Sequence, residues 1–234
     1  KPIGLKLCVG FRSEFFALCK AMVETGIKPD FITVDGGEGG TGAAPIEYSN
    51  SVGFPLNDGL PFVVDALLGF DLKKDIRVIA SGKIITGFHL LRALAMGADM
   101  ANSARAMMLA LGCIMALECN KNSCPTGITT QNPQLMVGLA VSDKRQRVAN
   151  YHHETVKSVA ELLTASGLDH IEQLNRSHVY RRVSTIEIAR LDEIYPYPIT
   201  GCMLKGEAPK RYQSDLDQAT TSSFGASCPM PIQG

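Results

Sequence analysis

The chain has 234 residues, of which 45% are hydrophobic and 20% charged, a composition far from the polar, highly charged range of disordered chains. Lysine plus arginine and aspartate plus glutamate both number 23, giving zero formal net charge, and no basic block offers the footprint nucleic acid requires. The longest apolar run, 106–117, is too short to span a bilayer, so a soluble, cytoplasmic protein of one large or two small domains is expected. Because Lys1 already lies in strand-like sequence without an initiator methionine, the chain reads as part of a longer protein.

Four segments pair a short β-like run with an amphipathic helical run, the pattern of parallel βα units. The first places a strand at 3–9 and a helix at 14–25, with Phe15, Phe16, Leu18, Ala21 and Met22 as its apolar stripe and Gly26 as its stop. The second has a strand at 30–35, a glycine-rich stretch over 36–42 and a helix over 61–72. A strand at 77–80 with a helix at 86–96, and a strand at 99–102 with a long apolar helix over 104–117, make the third and fourth. Further on, 145–166 reads as an amphipathic helix ended by Gly167, and 169–174 as a shorter one. From Tyr195 the composition turns to Pro, Gly, Ser and polar residues, which reads as a surface strap or a disordered end.

Four consecutive βα units fit either half of a (β/α)8 barrel or an open doubly wound sheet. The barrel is favoured, because every strand ends in a chemically loaded loop: 6–10, 35–42, Ser81-Gly82-Lys83 and Ser103-Ala104-Arg105. In a barrel those ends share one mouth. The expected division is a half-barrel over 1–130, a helical extension over 131–194 and an irregular tail over 195–234.

Three motifs carry candidate chemistry. Cys113, Cys119 and Cys124, with Pro125 directly after, form a thiol cluster lacking the paired knuckles and fourth ligand of a structural zinc site. Three thiolates in one loop suit an iron–sulfur cluster with one vacant corner; the competing reading is a core cysteine and two incidental ones. Cys8, Cys19, Cys202 and Cys228 show no such grouping and read as buried small hydrophobes or surface thiols. Ser81 and Gly82 allow close backbone approach to an anion, and Ser103, Ala104 and Arg105 add a hydroxyl, amides opening a helix and a guanidinium. That is a candidate phosphate site, against a pair of ordinary βα turns. The stretch from Asp35 to Gly42, with five glycines in eight residues, can follow a flat ring closely or act as a flexible loop, and it matches neither a Walker loop nor a dinucleotide fingerprint. Lys6, between apolar neighbours in a strand, either points to solvent or meets an anionic ligand or a carboxylate.

Gly39-Gly-Thr-Gly-Ala-Ala-Pro45, Ala110-Leu-Gly-Cys-Ile-Met115 and Cys119-Asn-Lys-Asn-Ser-Cys-Pro-Thr-Gly-Ile-Thr-Thr-Gln131 resemble the FMN-binding synthase domain of glutamate synthase, over about 1–174. The resemblance is nearest to the shorter, glutaminase-lacking proteins of bacteria and archaea. It implies a TIM barrel of which this chain holds the last four βα units, FMN at the mouth, and a 3Fe-4S cluster on Cys113, Cys119 and Cys124. It further implies reduction of 2-iminoglutarate, formed from 2-oxoglutarate and ammonia, to L-glutamate, with electrons from ferredoxin or a reductase subunit and ammonia from a possible separate subunit. Lys6 falls at a basic strand position near flavin and 2-oxo acid, and is the expected catalytic residue. Lys6, Gly36, Gly37, Ser81, Gly82, Lys83, Ser103, Ala104 and Arg105 are the expected cofactor contacts. The large synthases carry His-Asp where this chain has Gly37-Glu38, and Phe-Gly-Thr where it has Ser103-Ala-Arg105. Alternatives are a related FMN barrel oxidoreductase acting on another amine and 2-oxo acid pair, such as one forming N-methylglutamate, or a non-catalytic electron-transfer subunit or truncated fragment.

Overall fold

A computed structural model describes residues 1–40 and 44–223. The chain is α/β, and its main sheet has four parallel strands in sequential order: β1 (Gly4–Leu7), β2 (Phe31–Asp35), β3 (Arg77–Ser81) and β4 (Met100–Asn102). Lys6 is in register with Thr33, Thr33 with Ile79, and Ile79 with Met100. A sequential order lacks the reversal that defines a doubly wound sheet, and is the order of neighbouring units in a barrel wall. β1 and β4 are both edges among the described residues.

Strand alternation gives the sheet two faces. Ile32, Val34, Val78 and Ala80 lie on one and are fully buried. They share a core with Phe15, Phe16 and Met22 of α1 (Arg12–Thr25) and with Leu60, Val63, Val64 and Leu67 of α2 (Leu56–Gly69). Lys6, Asp35, Ser81 and Asn102 lie on the other face, where a cavity opens and which no helix among the described residues covers. That asymmetry positions the site.

Local chemistry explains where the helices depart from expectation. α1 ends where expected because Gly26 takes φ 71° and returns its N–H to the Met22 carbonyl. α2 starts at Leu56, ahead of the expected 61, because the Glu38 carboxylate accepts the Leu56 N–H at 2.8 Å. A cap 18 residues away leaves no local signal, and Pro61 is accommodated inside the helix. α3 (Gly87–Ala95) is capped by the Thr86 hydroxyl, which accepts from the His89 N–H. The helix expected over 104–117 is corrected to α4 (Arg105–Leu111): Gly112 at φ 101° ends it. Met115 and Leu117, at φ 57° and 58°, then keep the chain out of the helical region.

Beyond α4 come the short α5 (Pro133–Met136) and the long α6 (Val141–Ala165), which packs on α3 and α4. The helix expected at 169–174 is a single 3-10 turn, Ile171–Gln173. An antiparallel hairpin of β5 (Tyr180–Arg182) and β6 (Ile188–Arg190), unforeseen in the sequence, leads into α7 (Leu191–Ile194).

Through residue 223 the expected irregular tail is instead ordered and packed. Its α8 (Lys210–Gln218) lies on α1, burying Tyr212 and Leu216. The Tyr212 ring meets Phe16 and Phe62 edge-on, with centroids 5.9 and 5.7 Å away. Lys20 of α1 donates to the carbonyls of Leu216 and Ala219, both at 2.8 Å. Arg176 and Asp65, each fully buried, form an ion pair at 2.8 Å, and Arg211 and Tyr212 also donate to Asp65, at 3.1 and 2.7 Å. Burial pushes the Asp65 carboxyl above the usual range, against the pull of these donors. No helix among the described residues is long and apolar enough to cross a membrane.

Candidate functional site

The uncovered face of the sheet and the loops at its strand ends line a half-open cavity of about 610 Å³, within the range of small-molecule and cofactor sites. Each strand contributes at or near its C-terminal end: Lys6 from β1, Asp35 from β2, Ser81 from β3 and Asn102 from β4. Gly82, Lys83, Ser103, Ala104 and Arg105 line it from the following loops and the start of α4. Cys113 and Cys119 form part of the same wall with Met108, Met115 and Leu117.

Hydrogen bonds fix the loops. Gly36 donates to the Ser81 carbonyl at 2.8 Å, tying the ends of β2 and β3. The Ser103 hydroxyl donates to the Ile84 carbonyl at 2.9 Å, joining the third and fourth loops. Lys83, at φ 46°, extends its ammonium to the Asn50 side-chain carbonyl at 3.1 Å. Gly82 sits at φ 155°, where an added Cβ would lie 3.0 Å from both Glu38 Oε2 and the Leu56 side chain. The backbone there is held close against Glu38 without a side chain between. Lys6 pairs with Asp35 across the first two strands. Among the described residues Arg105 makes no ion pair or hydrogen bond, so its guanidinium is available to an anion.

Gly36 and Gly37 do not line the cavity. A Cβ on Gly36 would fall 1.7 Å from Glu38 Oε2, and one on Gly37 2.7 Å from the Gly53 carbonyl, so both serve the packing behind the loop. Gly39 and Gly40 reach the cavity; the expected loop residues Thr41 and Gly42 lie outside the described residues, as does Cys228.

The thiols differ in setting. The Cys113 sulfur accepts the Met115 N–H at 3.4 Å, while the Cys124 thiol lies 3.4 Å from the Thr126 hydroxyl. That hydroxyl, with Thr129 and the Thr126 amide, brings the Cys124 pKa down to about 6, so it is largely thiolate at neutral pH. Among the described residues no three His, Cys, Asp or Glu side chains converge on a single metal ion. An iron–sulfur cluster takes its thiolates around a volume and not at a point, and one loop bearing three partly exposed thiols fits that demand.

Sequence reasoning missed Ala101, Asn102, Met108, Met115 and Leu117 as cavity residues. Asn102 was within reach, since it shares a register row with Ser81 and Asp35. Met115 and Leu117 were hidden inside a run read as helix, though Gly112 in its middle was the available signal.

A parallel sheet with one face packed by helices and the other opening into a polar and thiol-lined cavity at its strand ends defines an α/β protein, consistent with part of a (β/α)8 barrel. Residues 1–169 match the family described as the conserved region in glutamate synthase, and the chain belongs to that family. The glutamate synthase large subunit-like protein YerD of Bacillus subtilis is 39% identical over 194 residues, 83% of this chain and 37% of that protein. The archaeal glutamate synthase (NADPH) of Methanocaldococcus jannaschii is 34% identical over 174 residues, 74% of this chain and 33% of that protein. The ferredoxin-dependent glutamate synthase of Antithamnion sp. is 31% identical over 164 residues, covering 69% and 10% of the two chains. The chain thus spans little more than a third of the length of the first of these relatives.

Proposed function

We propose that this chain is the C-terminal half of an FMN-binding (β/α)8 barrel, its last four βα units lying in 1–130, extended by 131–194 and by the segment from 195. In this reading the intact protein is a glutamate synthase-like oxidoreductase that makes L-glutamate from 2-oxoglutarate and ammonia by way of 2-iminoglutarate. The observation that carries it is the single cavity shared by the strand ends and by Cys113 and Cys119, which sets a flavin-sized space beside thiols.

FMN fits the residues present. Ser81, Gly82 and Lys83 would hold its phosphate from one loop, and Ser103, Ala104 and Arg105 from the next, with Lys83 and Arg105 matching its charge. Met108, Met115 and Leu117 offer the apolar wall a flat ring needs. Cys113, Cys119 and Cys124 would hold a 3Fe-4S cluster in contact with that space. Bound together, these groups would supply hydride and electron transfer, while the protein supplies position and charge. Lys6 is the proposed catalytic residue: its ammonium, aimed into the cavity, would bind and orient a carboxylate of the 2-oxo acid. Partners in this reading are ferredoxin or a reductase subunit as electron donor and a possible separate ammonia-supplying subunit, the whole working in the cytoplasm.

Steady-state turnover of the intact protein tests it. With 2-oxoglutarate and a chemical reductant, ammonia is expected to give L-glutamate at a kcat/KM at least about tenfold above that for methylamine, since a tight pocket resists one extra methyl group. Preference for methylamine would move the assignment to N-methylglutamate formation, and turnover with neither amine would remove it.

A further inference from the structure

We propose that Asp35 is the resident counter-ion of Lys6 and sets the cavity's affinity for carboxylate substrates, so that an incoming 2-oxo dicarboxylate must displace Asp35 before it gains the lysine. The inference rests on the reading that this cavity takes a 2-oxo acid, and adds to it a specificity-determining residue.

Register brings the two together. Lys6 is aligned with Thr33 on the neighbouring strand, and Asp35 lies two residues further along on the same face. Each is the other's sole ionic partner among the described residues, and both line the cavity. Asp35 is also the sole carboxylate on the described cavity wall, beside the cations Lys6, Lys83 and Arg105.

The pair is built to exchange. Its side chains are 62% and 32% exposed, in contrast to Asp65 and Arg176, which are both fully buried. A water-exposed ion pair contributes little net free energy, so a carboxylate of similar geometry can take the place of Asp35 at small cost. While Asp35 stays in place, it competes for Lys6 and repels a second negative group in the same space. The other cations do not relieve that competition: in this reading Lys83 and Arg105 face the flavin phosphate, and Arg105 stands at the opposite edge of the sheet from β1. A site with Lys6 unpaired would accept small anions less selectively, so the internal carboxylate trades affinity for selectivity.

Calorimetric titration of the intact, oxidised protein with 2-oxoglutarate, and separately with glutarate, tests the proposal without turnover. Asp35→Asn is expected to bind both about fivefold more tightly than the unsubstituted protein, with the gain largest at low salt. Asp35→Ser is expected to do the same and guards against an effect peculiar to asparagine. In a Lys6→Met background the gain should vanish. Unchanged or weaker binding in both Asp35 variants, or a gain that persists without Lys6, would overturn the proposal. If the variants bind glutarate more tightly while the unsubstituted protein does not turn over 2-oxoglutarate, this inference stands and the proposed reaction fails. If turnover occurs and the variants' KM is unchanged or higher, the reaction stands and this inference fails. Absence of dicarboxylate binding throughout would remove both.

Discussion

Asp65→Asn is expected to lower the stability of the intact protein by about 3–5 kcal/mol, because it leaves the Arg176 guanidinium buried without its counter-charge. Arg176 is fully buried, pairs with Asp65 at 2.8 Å and donates to the carbonyl of Tyr195 at 2.7 Å. Its guanidinium also stacks on the Tyr197 ring, 4.1 Å from the centroid. Arg211 and Tyr212 reach the same carboxylate, so one substitution loosens the segment around 176 and α8 together. Thermal unfolding should shift down by several degrees, and limited proteolysis should open the chain within 195–223. The double substitution Asp65→Leu with Arg176→Met, which removes both charges, should lose much less than the single one. A single variant within about 1 kcal/mol of the unsubstituted protein, or a double variant as damaged as the single, would show that the pair does not hold this segment.

Cys119→Ser in the intact protein is expected to bring iron and acid-labile sulfide to background while flavin content stays near that of the unsubstituted protein. Serine keeps the size but not the thiolate, and a cluster held by only three thiolates has none to spare. Cys119 belongs to the cavity wall that also contains Cys113, so its loss acts on the shared site while leaving in place Gly82 and Arg105, which are proposed to hold the flavin phosphate. Cys8→Ser is the control: this thiol is exposed, at the end of β1 and outside the 113–124 loop, and its replacement should leave iron unchanged. Iron and sulfide retained in Cys119→Ser would remove Cys119 from the ligand set, and iron lost in both variants would point to general damage.

Much of the scaffold was legible because it is written locally. Buried strands announce themselves through short β-branched runs such as Ile32 to Val34, and helix stops through glycines such as Gly26. What escaped was set by partners distant in sequence. The start of α2 depends on Glu38, and the order of the segment after 195 on a carboxylate at position 65 and a packing face on α1. Few apolar residues in that segment mark its fold; Cys202, Met203, Tyr212 and Leu216 are buried there, Tyr212 against the rings of Phe16 and Phe62. The hairpin at 180–190 escaped because both of its strands are largely exposed and show no buried alternation.

The candidate site divides the same way. Lys6, Ser81, Gly82, Ser103 and Arg105 stood out because strand ends collect chemistry, and the fold gathers them around one cavity. Composition alone could not distinguish glycines that face the cavity from those packed behind it. Gly36 and Gly37 belong to the second kind, held against Glu38 and Gly53.

The central claim is that this cavity holds FMN with an iron–sulfur cluster in its wall. It is tested most directly by the absorption and EPR spectra of the intact protein purified without oxygen, with iron and sulfide measured on the same sample. A flavin spectrum with the EPR signal of an oxidised three-iron cluster is the result expected. A folded protein with neither flavin nor cluster would contradict the account, leaving a family scaffold without its chemistry.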